Sequence, residues 1–376
     1  MSRASGIGGS IIVCCRGLSK SLKVLTLVPN QKGHAPGQRG SIELWEKVIE
    51  PMGIHLDYAP FETQALQKIL YSSGNQFAKA LEMVRGYVDR LGLLKRLDDY
   101  DAVFVYREAA LLGPAFLEKR IAKRKPIIYQ LDDPLYMPYR SPANGYLSYL
   151  KFFGKIKEII RISKVVMVNS SHIREYASQY NKNIWQIPSV VDTDQFRFKP
   201  QGDIDRVCVG WSGSSTTLNN IKMLERPLQA ISASDICDIH FIGGTEFGLS
   251  NVKYTSQKWS GETEVEDLRQ IHVGLIPLPD FSWNKHKFIM KTAQYMALGI
   301  VPIGTSMASN PEVIRHGKNG FLADSDDEWE KYIRLLVADG ELRRRLSKTA
   351  AEDAISKYSL RANEAKIVEA FKAALN

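Results

Sequence analysis

Short apolar runs rich in β-branched residues alternate with longer helical stretches, and this pattern starts twice. It opens at Leu22-Lys-Val-Leu-Thr-Leu-Val28 and again at Arg206-Val-Cys-Val-Gly210. Strands separated by helices cannot pair as hairpins, so each series predicts a parallel sheet flanked by helices. The first series continues with strands at Ala102–Tyr106, Pro126–Leu131 and Val165–Asn169. Its helices are expected near Ser41–Met52, Ala109–Lys123 and Ser171–Tyr180. The second has strands at Ile239–Gly243, His272–Pro277 and Val301–Gly304, with helices near Thr217–Ala233, Glu264–Gln270, Lys287–Leu298 and Glu328–Ala338. The expected fold class is α/β with two Rossmann-like domains facing a central cleft, residues 22–195 and 196–360. A chain of 376 residues is long enough for two cores of that size. In open parallel sheets ligands bind beyond the carboxyl ends of the strands, so residues just after strands are the ones to inspect.

Composition narrows the function classes. With 44% hydrophobic and 24% charged residues the chain is an ordinary globular one. No apolar run approaches the ~20 residues of a membrane-spanning helix. The net charge of +9 is unevenly placed: residues 1–195 hold 27 Lys and Arg against 18 Asp and Glu, whereas residues 196–376 hold 23 of each. A one-sided basic surface attracts polyanions, whether nucleic acid, anionic lipid or a phosphorylated small molecule. Residues 1–21 carry Arg3, Arg16 and Lys20, and no acid precedes Glu43. Their one apolar run, Ile11–Cys15, is too short for a signal sequence, so they read as a flexible tail. Four cysteines without a CxxC pair fit a reducing cytoplasm.

Several post-strand segments carry chemistry. The loop Gly33-His-Ala-Pro-Gly-Gln-Arg-Gly40 follows the first strand. Its glycines permit close backbone approach, and Gly37, Gln38 and Arg39 are candidate acceptor-side residues, although an ordinary flexible loop has the same composition. Asp132 and Asp133 follow the third strand, where a carboxylate can accept a sugar hydroxyl or assist proton transfer; Asp-Asp-Pro is also common turn chemistry. Trp211-Ser-Gly-Ser-Ser-Thr-Thr217 offers Gly213, Ser214 and Ser215 at the start of a helix, where N–H groups suit a diphosphate. Lys287 and Lys291 stack at i and i+4 near a helix start, which the helix dipole disfavours and an anionic ligand would compensate; two solvated lysines are the alternative. Residues 146–164 alternate Tyr149, Phe152, Phe153, Ile156, Ile159 and Ile160 with Lys151, Lys155, Lys157 and Arg161. Such a helix either packs its apolar face on a core or makes peripheral contact with an anionic membrane.

The ordered series Asn169-Ser170, Ile187-Pro188, Val191-Asp-Thr-Asp-Gln-Phe196, Val209-Gly-Trp-Ser-Gly213, Gln294-Tyr-Met-Ala-Leu-Gly299 and Pro311-Glu-Val-Ile-Arg-His-Gly-Lys-Asn-Gly-Phe-Leu322 resembles the group 1 glycosyltransferases of glycosyltransferase family 4. The resemblance implies a GT-B fold, with a nucleotide-sugar donor on the second domain and a glycan or lipid-linked acceptor on the first. It also implies sugar transfer with retention, without a metal or other cofactor, and a final segment, 361–376, that crosses back to the first domain. The reading that follows is a transferase of surface polysaccharide or glycoconjugate assembly in the cytoplasm, on the inner face of the membrane, and not a nucleic-acid binder.

Departures from the family pattern shape the site. The family's two glutamates fall on His286 and Gln294, so neither carboxylate is present. Gln294 retains donor and acceptor groups for ribose hydroxyls, and His286 stands where the donor sugar is contacted. The family's diphosphate-binding cations are also missing near Trp211, which leaves Lys287 and Lys291 to neutralise the diphosphate. The catalytic set is then His286, Lys287, Lys291 and Asp132. Asn310 and Glu312 are candidates for donor hydroxyls, with Glu312 equally explained as a first-turn acid. Trp259 either meets the nucleobase or packs in the core. Arg107, Glu108 and Asp133 join the acceptor side. The missing glutamates keep open a catalytically silent GT-B scaffold.

Overall fold

The computed structural model describes residues 21–70, 74–138, 152–213 and 215–375. Two six-stranded sheets form from strands that are all parallel to their neighbours. The first runs β2(Ile54–Pro60), β1(Leu22–Val28), β3(Ala102–Tyr106), β4(Ile127–Leu131), β5(Val165–Val168), β6(Ile184–Gln186). The second runs β12(Phe321–Leu322), β11(Val301–Gly304), β10(Val273–Ile276), β7(Cys208–Ser212), β8(Asp238–Ile242), β9(Thr255–Gln257). The central strands β3, β4 and β5 are buried along their whole length, which is why they read as continuous apolar runs rather than alternating ones. In each sheet the strand order reverses once, between β1 and β3 and between β7 and β10. Those are the points where ligand crevices open in doubly wound sheets.

Each face of the first sheet has its own core. One is built from Leu25, Leu27, Val103, Val105 and Tyr129 with the helix Lys155–Ile162; the other from Val24, Phe104 and Ile128 with the terminal helix Leu360–Ala373. Ile367, Val368 and Phe371 of that last helix are buried against the first sheet, with Phe371 stacked on Phe104 at 5.5 Å. Each such side chain contributes about 1.5–3 kcal/mol by leaving water. The chain's last helix thus clamps the two halves together.

Two expectations change. The helix expected over Ala109–Lys123 begins only at Phe116, because Gly113 takes a φ of +84° and Pro114 follows it. The basic amphipathic segment 146–164 lies outside the described residues as far as 151, and its described helix spans Lys155–Ile162. There Ile156, Ile159 and Ile160 are buried in the first core, so that face is not available to a membrane. No helix among the described residues is long and apolar enough to cross one. Residues 1–20 of the expected tail also lie outside the described residues.

Candidate active site

The carboxyl ends of the two sheets face each other, and the post-strand segments of both halves touch. Gln38 pins the loop after β1 from within. It is fully buried and its amide donates to the Asn30 carbonyl (3.1 Å) and to Glu43 Oε1 (2.7 Å), so it holds the loop and is not exposed to an acceptor. Gly37 lies where a Cβ would come within 3.0 Å of the Tyr106 hydroxyl and 3.1 Å of Arg107 Nη2. Arg39 reaches across, its guanidinium 5.1 Å from the Trp259 ring centre. Trp259 is 37% exposed and therefore a cleft residue, not core.

Arg107 organises the acceptor side. It follows β3 with a φ of +65°, a strained conformation for a residue with a side chain, and strain of that kind collects at functional sites. Its Nε and Nη2 donate to the two oxygens of Asp132 at 2.7 and 2.9 Å, and Nη2 lies 2.7 Å from Asp133. The Tyr106 hydroxyl donates to Asp132 as well, at 2.5 Å. With hydrogen bonds to both its oxygens, Asp132 orients Arg107. Burial alone would raise the Asp133 carboxyl, but Arg107 and Lys287 outweigh it and hold the group below its usual range. Glu108 is tied in an ion pair to the buried Lys155 at 2.7 Å, beside the same cavity. Arg107, Glu108, Asp133, Leu135, Phe153 and Trp283 line a cavity of about 200 Å³. A larger one, about 540 Å³, opens at the opposite, amino ends of β7, β8 and β10, among Cys208, Asp238, His240 and His272.

From the second half comes the segment that precedes the helix Met290–Leu298. The expected Lys287–Lys291 stack on one helix does not form, since the helix begins three residues after Lys287. Residues 287–289 are held apart from it by Ser309, whose N–H donates to the Lys287 carbonyl (3.1 Å) and whose hydroxyl accepts from the Ile289 N–H (2.8 Å). The two lysines therefore reach the cleft from different directions. Lys287 Nζ stands 3.6 Å from Asp133 Oδ1, across the interface. Lys291, in the first turn of the helix, places Nζ 4.6 Å from the Trp211 ring centre, and burial pushes its ammonium down to about 7, with Glu264 opposing.

His286 closes the cleft. Its carbonyl accepts from the Ser170 hydroxyl at 3.0 Å, its Nδ1 is 3.4 Å from the Tyr136 hydroxyl, and its ring meets His172 edge-on at 5.4 Å. Burial, assisted by His172, lowers its pKa, so the ring is neutral near pH 7. Glu312 accepts from the Ser171 hydroxyl of the first half. Gln294 is half-buried one turn beyond Met290.

Two donor-side expectations fail. Asn310 is fully buried, donating to the Thr305 carbonyl (3.0 Å) and accepting from Thr292 (2.8 Å), so it braces the loop and cannot reach a sugar. The N–H of Gly213 is already spent on the Ile242 carbonyl at 2.9 Å, and Ser215 opens a 3₁₀ helix, Ser215–Leu224, rather than an α-helix. Ser214 lies outside the described residues. Residues not anticipated are Tyr106, Tyr136, His172 and Trp283; the last follows β10 at a strand-order reversal, which is the signal that would have found it. Among the described residues, no three of His, Cys, Asp and Glu stand together as metal ligands do.

Comparison with known proteins places this geometry. No curated protein matches the chain in sequence. Residues 286–353 match the family model described as Glycosyl transferases group 1, and this span contains His286, Lys287, Lys291, Gln294 and Glu312. In structure, the chain is similar to sucrose-phosphate synthase from Thermosynechococcus elongatus, with 14% identity over 94% of this chain and 98% of that one and a TM-score of 0.70. It is similar to a glycosyltransferase from Rickettsia africae, with 14% identity, coverage of 95% and 99%, and a TM-score of 0.66. It is similar also to HepE of Anabaena, determined with UDP and glucose, with 13% identity, coverage of 94% and 100%, and a TM-score of 0.62. At such identities the likeness is one of architecture: two parallel six-stranded sheets facing a cleft, the GT-B fold.

Proposed function

We propose that this protein is a retaining glycosyltransferase that moves a sugar from a nucleoside-diphosphate sugar to a hydroxyl of a glycan or lipid-linked acceptor in surface glycoconjugate assembly. The observation that carries this reading is the meeting of Lys287, inside the segment that matches group 1 glycosyl transferases, with the Arg107–Asp132–Asp133 cluster of the opposite sheet, while Lys291 of the same segment stands over Trp211. HepE, of like fold, binds UDP and glucose, which supports a nucleotide sugar as donor.

In this reading the diphosphate lies between Lys291 and Lys287, the lysines supplying the charge that a metal supplies elsewhere. Lys287 exchanges its Asp133 contact for phosphate. Gln294 takes ribose hydroxyls, Trp259 the nucleobase, and Glu312 a sugar hydroxyl. The acceptor enters beside Asp133 and Trp283. Without a carboxylate nucleophile, the acceptor oxygen attacks from the face the leaving group departs from. Its proton passes to the leaving phosphate oxygen while the bond from C1 to that oxygen breaks. The lysines stabilise the charge that collects on the diphosphate, and His286 orients the sugar.

A thermal-shift screen of UDP, GDP, ADP and their sugars is expected to raise the melting temperature with one base class. At a ligand concentration 100-fold above Kd the stabilisation is about 2.7 kcal/mol. A flat response to all of them sinks the enzyme reading and leaves the silent scaffold, which the missing glutamate pair would then explain.

The depressed Lys291 sets a pH dependence. A bound diphosphate restores its proton, so the site takes up a proton when it fills above pH 7. Affinity falls about tenfold per pH unit above about 7, until the pKa of the complex is reached. Calorimetry in buffers of different ionisation enthalpy measures that uptake; a pH-independent affinity across this range removes Lys291 from the site.

A further inference from the structure

The helix Gln76–Leu93 packs Met83, Tyr87 and Leu93 against the first core and carries a second apolar face outside. Its buried positions are Lys79, Glu82, Gly86 and Arg90, whereas Phe77 (85% exposed), Leu81 (58%), Val84 (60%), Val88 (59%) and Leu91 (36%) face solvent. Its rotation is fixed by specific contacts. Arg90 donates to the carbonyls of Val28 (2.9 Å) and Ala109 (2.7 Å), Glu82 accepts from Thr63 and Arg85, and a Cβ on Gly86 would meet the Phe61 carbonyl at 2.9 Å. The apolar face therefore cannot roll inward.

The spacing of the exposed residues is 4, 3, 4 and 3, the two-position seam of a helix pair and narrower than the stripe by which a helix packs on a globular core. Ala78, Ala80 and Gly92 flank the seam and allow another helix to approach closely. We propose that this helix is a self-association surface, on which a second copy of this chain pairs antiparallel about a two-fold axis. That register sets Leu81 against the second copy's Leu91 and Val84 against its Val88, so the seam is complementary to itself. The exposed charges of the helix are Arg85 and Asp89, one of each sign, and the antiparallel arrangement brings each within a helical turn of its opposite in the second copy. A helix that lies on a bilayer is instead rimmed with Lys and Arg. The seam is about 21 Å long, shorter than a standard interface, so the dimer is concentration dependent rather than obligate.

Sedimentation velocity of the full chain tests this, over about 1 to 200 µM, the range in which a modest interface titrates. The expected result is a monomer-to-dimer shift in the wild type that is absent in Val84→Glu/Val88→Glu, with an unchanged melting temperature because neither side chain is buried. Leu81→Ser/Val88→Ser serves if the glutamates perturb folding. A wild type that stays monomeric throughout overturns the proposal, as does a dimer that survives both variants. If the monomeric protein floats with phosphatidylglycerol vesicles and the variants do not, the face belongs to a membrane and the proposal falls.

Discussion

Lys291→Ala is expected to weaken nucleoside-diphosphate binding by about 10- to 100-fold, the worth of one charge-assisted contact in a desolvated site. Turnover should drop further, by about 100- to 1000-fold, because the charge on the leaving diphosphate grows in the transition state. The variant should also fold at least as well as the wild type near pH 7. Burial holds the Lys291 ammonium at about 7 against an ordinary value of 10.5. A folded pKa below the unfolded one means that the folded chain binds fewer protons. The stability penalty is therefore complete below about pH 7 and is relieved as pH rises toward 10.5. Melting temperatures of wild type and variant should converge over that interval. A residue that mainly stabilised the fold would show the opposite pattern, with lower stability and intact binding. Calorimetry with the nucleotide, together with melting curves across pH, separates the two.

Gly243→Ala should be the most destabilising conservative change near the donor side, at roughly 3–5 kcal/mol. Gly243 sits at φ +133°, just after β8, and an added Cβ would lie 1.9 Å from the carbonyl oxygen of Gly213. Both atoms belong to backbone at strand ends. Gly213 donates to Ile242 and Gly243 to Gln257, each at 2.9 Å, so neither can retreat without breaking the edge of the sheet. A melting temperature lower by roughly 6–20 °C is expected. Gly317→Ala is the control: φ there is +73° with nothing within 4 Å, so only the conformational cost of about 1 kcal/mol applies. Equal losses at the two positions would mean that the close approach of Gly213 and Gly243 carries no energy.

The fold was legible because its central strands are buried on both faces. Ala102–Tyr106 and Val165–Val168 announce themselves as apolar runs, and the restart at Arg206 marks the second sheet. The short strands Ile184–Gln186, Thr255–Gln257 and Phe321–Leu322 did not, since two or three residues carry no periodicity. Ile54–Pro60 was missed for another reason: it is half-exposed beside β1 and carries His55 and Asp57 within it. In the site, residue types were easier to read than their directions. Gln38 and Asn310 have the right chemistry after the right strands, yet tertiary partners turn both inward, and Glu108, which lines the cavity, is tied up by Lys155. The late helix start before Lys291 depends on Ser309, about twenty residues away, which no local spacing reveals. Charge told a similar story. The excess in the first half pointed to the 146–164 segment, whose described helix buries its apolar face, while the exposed apolar face belongs to Gln76–Leu93, where only one cation and one acid are exposed.

Equilibrium binding of UDP, GDP and ADP to the full chain and to Lys291→Ala, at pH 6.5 and at pH 8.5, decides whether Lys291 holds the diphosphate of a nucleotide donor. One nucleotide class should bind the wild type, more tightly at the lower pH and with proton uptake at the higher, and the variant should lose both the affinity and its pH dependence. Binding that is equal in the two proteins, or no binding of any nucleoside diphosphate, would contradict that role.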